Sequence, residues 1–170
     1  RPYSFDPETA LDAAMHLFWR DGYDLATLSQ LQNAMGIQRG SLYQEYGSKK
    51  DLFLRALDRY VSLFVNPGIE LLTQSDAAGM DRIWTVFSMG PKTEPRGCLL
   101  CNSAAGVAGS DETVRRAIAT QLERLRRAFE TALVEDYPEQ TLRRSEAERL
   151  TQTYIGKRVE ARTLMGTEIR

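Results

Sequence analysis

The chain has 170 residues, of which 42% are hydrophobic and 26% charged, and its formal net charge is −1. That length suffices for one sizeable core or for a small head fused to a larger body, and the balance of residue types is that of an ordinary globular protein. The near-zero charge excludes attraction to polyanions by total charge alone. No run approaches the roughly 20 apolar residues of a membrane helix, and no apolar stretch follows a basic N-terminus as in a signal peptide. The expectation is a soluble, cytoplasmic protein.

No alternating β-branched run bounded by turn residues is present, whereas apolar residues recur widely at spacings of three and four, so an all-α fold is expected. The first helix is predicted over residues 7–20. Asp6 caps it, Pro7 fits its first turn, and Leu11, Ala14, Met15 and Phe18 form one apolar face before Gly22 stops it. A short helix follows over 28–35, capped by Thr27, and Gly36 supplies the left-handed residue that ends it. A second short helix spans 38–46 and breaks at Gly47. Ser48 then caps a long helix to residue 65, with Asp51 in a capping-box-like position and Leu52, Phe53, Ala56, Leu57, Tyr60, Leu63 and Phe64 on its apolar face.

Beyond Asn66-Pro67-Gly68, helices are expected near 69–75 and 80–88, a loop over 90–97, and a helix near 98–108. Two long helices over 111–136 and 145–165, separated at Pro138, close the chain. The natural partition is a head of residues 1–47 and a body of residues 48–170.

Two short helices joined by a tight glycine turn and packed on an earlier helix make a helix-turn-helix. Its second helix must enter a groove roughly 12 Å wide, so its outer face needs small or hydrogen-bonding side chains. Gln38, Arg39, Gly40, Ser41, Tyr43 and Gln44 supply these, while Ile37 and Leu42 point inward. Arg39 and Gln44 suit base edges; Thr27, Tyr43 and Lys49 suit phosphates. Charge adds little, because Thr27 to Lys50 holds three basic residues against Glu45 alone. From periodicity alone, a small helical bundle with a polar surface helix is an equal alternative.

The run Ala10-Leu11-Asp12-Ala13-Ala14-Met15-His16-Leu17-Phe18-Trp19-Arg20-Asp21-Gly22-Tyr23 carries a further signal. With Thr27-Leu28, Ala34-Met35-Gly36-Ile37, Ser41-Leu42-Tyr43 and Gly47-Ser48-Lys49-Lys50-Asp51-Leu52, it resembles the DNA-binding head of the TetR family of regulators. The resemblance covers about residues 5–60. It implies a three-helix head and a larger helical body that binds a small-molecule effector. It further implies a homodimer through the last two helices, which sits on a palindromic double-stranded DNA operator as a repressor and is released by the effector. Thr27 and Lys49 fall on phosphate-contacting positions of the family, and Gln38, Arg39, Gly40, Ser41, Tyr43 and Gln44 on its recognition helix. The chain departs from the family at Gln44-Glu45-Tyr46, where many members carry Tyr-His or Tyr-Phe. In the body, Gly97-Cys98-Leu99-Leu100 and Gly156, Arg158, Val159, Ala161 and Arg162 look like one subgroup of the family.

The last two helices carry Val114, Ile118, Leu122, Leu125, Phe129, Ala132 and Leu133, then Leu150, Tyr154, Ile155 and Val159. Such stripes either close a monomer core or form a dimer interface, and the interface is favoured because a symmetric dimer sets two recognition helices about one DNA turn apart. Tyr60, Phe64, Trp84, Phe87, Cys98, Cys101 and Asn102 are candidate effector-binding residues. Cys98 and Cys101, the two cysteines, stand at Cys-x-x-Cys spacing and read as core or pocket lining or as a redox or electrophile sensor. No catalytic set, cofactor motif or metal-ligand set emerges, so no enzymatic activity, cofactor or metal is expected. A thiol-based redox protein without DNA binding, and a family member whose head no longer binds DNA, remain alternatives.

Overall fold

The computed structural model describes residues 5–74, 76–89, 96–107 and 110–164. No strand occurs among them, and none of their helices is long and apolar enough to cross a membrane. The helices are α1 (Pro7–Leu25), α2 (Leu28–Met35), α3 (Arg39–Tyr46), α4 (Lys49–Tyr60), α5 (Asn66–Thr73), α6 (Gly79–Ser88), α7 (Leu99–Ala105), α8 (Glu112–Ala132) and α9 (Gln140–Glu160). Most of the expected loop at 90–97 lies outside the described residues, as do the expected helix ends at Ser75, Ala108 and Met165.

Contacts gather the chain into two compact units, residues 1–61 with 98–117 and residues 62–97 with 118–170. The first unit therefore holds the three head helices together with α4 and α7, which the partition at residue 47 assigned to the body. Its core is aromatic. Phe18 of α1 meets Phe53 of α4 edge-on at 5.2 Å, Tyr23 meets Phe53 at 5.1 Å, and Trp19 meets Tyr60 at 4.9 Å. Rings in such edge-to-face pairs attract beyond the area they bury. Outside this core, the Arg59 guanidinium donates to both Asp12 carboxylate oxygens at 2.8 and 3.2 Å, tying α4 to α1 a second time.

In the second unit, Phe87 of α6, Phe129 of α8 and Tyr154 of α9 form a triangle with centroid separations of 5.9, 5.9 and 6.3 Å. Arg158 lies over the Tyr154 ring at 4.8 Å and donates to the carbonyls of Val86 and Met89 at the end of α6. The buried Arg82 donates at 2.8 Å to the Leu72 carbonyl near the end of α5.

Two expectations are corrected. The long helix over 48–65 ends as an α-helix at Tyr60 and continues through a π-helical turn, Val61–Val65, directly into α5. Asn66-Pro67-Gly68 is therefore a helix start, with Pro67 in the first turn, where its missing N–H costs nothing. The final helix begins at Gln140 rather than Ser145, capped by Glu139, and Arg143 holds the preceding turn by donating to the Tyr137 and Pro138 carbonyls. Of the apolar stripes assigned to an interface, Val114, Ile118, Leu125, Phe129, Ala132, Leu133, Leu150 and Tyr154 are already buried within one chain. Leu142 and Val159 of α9 are exposed.

Gly79 shows how closely this second unit is packed. A Cβ placed on it would lie 1.8 Å from the Ala132 carbonyl oxygen, a backbone atom that has no rotamer to yield. Gly79→Ala is expected to destabilise the protein by about 3 kcal/mol, the upper range for overpacking, in urea unfolding; an unchanged midpoint would contradict the close approach of α6 to α8.

Candidate nucleic-acid interface

The geometry of α2 and α3 follows from their caps. Thr27 and Gln30 cap α2 reciprocally: the Gln30 N–H donates to the Thr27 hydroxyl at 3.2 Å, and the Thr27 N–H donates to the Gln30 side-chain oxygen at 2.9 Å. Gly36 ends α2 at φ 65°, in the left-handed region that favours glycine, and the Ile37 N–H returns to the Gln32 carbonyl at 3.2 Å. Gln38 is the first, extended residue of the next helix, and its side chain makes no capping hydrogen bond.

Three side chains anchor α3 from inside: Ile37, Leu42 and Tyr46 are buried, and the Tyr46 hydroxyl donates to the Pro7 carbonyl at 3.2 Å. The helix is thereby fixed at its far end to the first turn of α1. Its other face is open. Gln38, Arg39, Gly40, Tyr43 and Gln44 are exposed and Ser41 is half-buried. Arg39 lies over the Tyr43 ring at 5.7 Å. A Cβ added at Gly40 would meet nothing within 4 Å, so this glycine answers no packing need of the chain itself.

Lys49 opens α4 beside this face. Its ammonium sits 4.5 Å from the centre of the Tyr23 ring, and partial burial lowers its pKa while Asp24 acts in the opposite direction. The stacking holds a cation in place at the head of α4. Glu45, the one acidic residue of the recognition segment, lies 3.5 Å from the Arg55 guanidinium, which also covers the Tyr46 ring at 5.3 Å. Arg55 and Tyr23 were not among the sequence candidates. The partners of Lys49 and Glu45 lie on other helices, and neither pairing has a local sequence signal.

The candidate effector residues divide between the units. In the first, Tyr60, Cys98 and Cys101 are buried and Asn102 is half-buried, with the Tyr60 hydroxyl and the Cys101 thiol hydrogen-bonded to the Cys98 sulfur. In the second, Phe87 belongs to the aromatic triangle, whereas Phe64 and Trp84 are exposed, Trp84 to 66%. An open depression of about 460 Å³ on α9, lined by Gln140, Thr141, Arg144, Ser145 and Glu148, contains none of them.

The three-helix head, with a buried inner side and a polar outer face on α3, defines a helix-turn-helix protein. Residues 10–56 match the family model of bacterial regulatory proteins, tetR family, and the chain belongs to the TetR family. It is 33% identical over 108 residues to the HTH-type transcriptional repressor ComR of Escherichia coli K12, covering 61% of this chain and 51% of ComR. It is 30% identical over 116 residues to the repressor BdcR of the same organism, covering 68% and 59%. The chain thus spans between half and three-fifths of the length of these curated relatives. Among solved structures, it matches the TetR family transcriptional regulator CifR, a cysteine mutant complexed with 26-base-pair double-strand operator DNA, with a TM-score of 0.84 and 28% identity. That match covers 96% of this chain and 90% of the other.

Because the Thr27 hydroxyl is engaged in its own helix, its removal should be felt without DNA. Thr27→Ala is expected to cost about 1 kcal/mol of stability, the usual value of such a cap, in denaturant titrations of the protein alone. Unchanged stability would mean that the hydroxyl does not cap α2.

Proposed function

We propose that the protein is a transcriptional repressor that binds a palindromic operator as a homodimer and is released by a small-molecule effector. The observation that carries this reading is the outer face of α3. Glycine costs a helix interior up to about 1 kcal/mol relative to alanine, and Gly40 stands in the first turn of α3 with open space beyond it. A small residue there serves something that approaches from outside, and the flanking Gln38, Arg39, Tyr43 and Gln44 can hydrogen-bond to base edges and phosphates.

Residues 1–47 are assigned to DNA binding and residues 48–170 to effector binding and dimerisation. The repressor names of ComR and BdcR, and the operator complex of CifR, support the assignment by similarity. Exposed Leu142 and Val159 on α9 support a dimer contact there, and exposed Phe64 and Trp84 offer apolar area to an effector. The Arg55 partner of Glu45 supports retained DNA binding, because it offsets the one negative charge beside the face. Base edges are then read by Arg39 and Gln44, and phosphates are held by Tyr43 and Lys49.

Selection from random duplex DNA is expected to enrich a palindrome that the protein binds as a dimer. Lys49→Ala should weaken binding evenly across sequences and reduce the salt slope by about 1, and Tyr43→Ala should weaken it as well. A folded protein that enriches no sequence would overturn the proposal.

A further inference from the structure

The two thiols of the first unit carry chemistry that DNA binding does not use. Cys98 stands immediately before α7 with extended backbone (φ −119°, ψ 124°), and its carbonyl accepts the Asn102 N–H at 2.8 Å, so Cys101 lies on the same turn. The Cys98 sulfur accepts hydrogen bonds from the Cys101 thiol and the Tyr60 hydroxyl, and from the Leu100 and Cys101 backbone N–H groups. These bonds, the Cys101 thiol foremost, outweigh burial and pull the Cys98 thiol down to about 6. The arrangement favours the Cys98 thiolate and sets a second thiol within hydrogen-bonding reach of it. No group of three or more His, Cys, Asp or Glu side chains able to hold a metal occurs among the described residues.

We infer that Cys98 and Cys101 form a thiol–disulfide switch that hydrogen peroxide closes, and that closing it weakens operator binding; the second half rests on the DNA-binding reading above. Burial selects the oxidant. With Cys98 3% and Cys101 1% exposed, both sulfurs are reached only through a local opening, and a small neutral peroxide needs the least of one. The Cys98 thiolate attacks one peroxide oxygen, the O–O bond breaks, and the departing hydroxide takes a proton to leave as water. Cys98 is then a sulfenic acid. The Cys101 sulfur attacks it, the S–S bond forms, and the displaced hydroxide leaves as a second water with the Cys101 proton. Two thiols and one peroxide thus give one disulfide and two waters, and a reducing thiol reverses the change.

Closure acts on the head through α7. A disulfide needs its Cβ atoms about 3.5–4.5 Å apart, so closing it clamps the extended Cys98 onto Cys101 in the first turn of α7. The clamp fixes the start of α7. This helix packs against α1 and α4, the two helices that grip each other across the aromatic core of the head.

The test treats the full chain with hydrogen peroxide, counts thiols by alkylation and intact mass, and measures binding to the duplex enriched by selection. Both thiols should disappear together within one chain, with the mass falling by two hydrogen atoms, and dithiothreitol should restore them. Affinity should fall about tenfold, within the usual span of coupling between sites, and recover on reduction. Cys101→Ser should stop at the sulfenic acid and lose the reversible fall in affinity. Thiols that stay reactive, links formed only between chains, or a disulfide that leaves binding unchanged would overturn the inference. If the reduced protein bound no duplex, the operator reading would fail, while the thiol count would still decide the disulfide.

Discussion

The packing of α1 against α4 is the constraint on which the rest of the head depends. Phe18 and Trp19 come from the main run of α1, Tyr23 from just past its break at Gly22 (φ 81°), and Phe53 and Tyr60 from α4. Each buried ring contributes about 1.5–3 kcal/mol, more than the caps that shape α2 and α3. The two short helices could not persist alone, since isolated helices under about 12 residues are marginal in water. They are held because Leu31, Met35, Ile37, Leu42 and Tyr46 bury themselves around this scaffold. The same rings reach outward to function. Tyr23 seats the Lys49 ammonium, and Tyr60 donates to the Cys98 sulfur.

Electrostatics plays a local part. The whole chain carries −1 and offers no general attraction to a polyanion. What the head has instead is cations in fixed places: Arg39 over Tyr43, Lys49 over Tyr23 and Arg55 over Tyr46. Each lies over a ring, and Arg55 also meets the Glu45 carboxylate. Arg20, Arg59 and Lys50 instead pair with carboxylates, Arg20 with Asp21, Arg59 with Asp12 and Lys50 with Asp111. The Lys50 pair spans 3.2 Å, and the Asp111 carboxyl, held below its ordinary range chiefly by the Val114 N–H, also caps α8.

Much of the head was legible in the sequence because its signals are local. Thr27, Gly36, Gly47 and Ser48 each cap or end a helix through their own backbone or side chain, and α2 falls where those residues put it. The inward and outward faces of α3 also follow from spacing, with Ile37 and Leu42 buried and Gln38, Arg39, Gly40, Tyr43 and Gln44 exposed. The body was less legible. Asn66-Pro67-Gly68 has the composition of a loop, yet a π-helical turn lets the chain run on into α5, and only packing decides that. The last helix was placed from residue 145, but Glu139 and the Arg143 bonds to the turn start α9 earlier. The apolar stripes could not say whether they faced a partner or their own core. The pairing of Glu45 with Arg55 was invisible for the same reason, since it joins two helices.

The measurement that tests the account most directly is the base preference of an Arg39→Ala variant, compared with the wild-type chain in parallel selections. If α3 reads DNA, the variant should lose discrimination at a symmetric pair of base positions, by about 1–3 kcal/mol each, while its stability is unchanged. An unaltered preference would contradict the assignment of the α3 face as the surface that reads sequence.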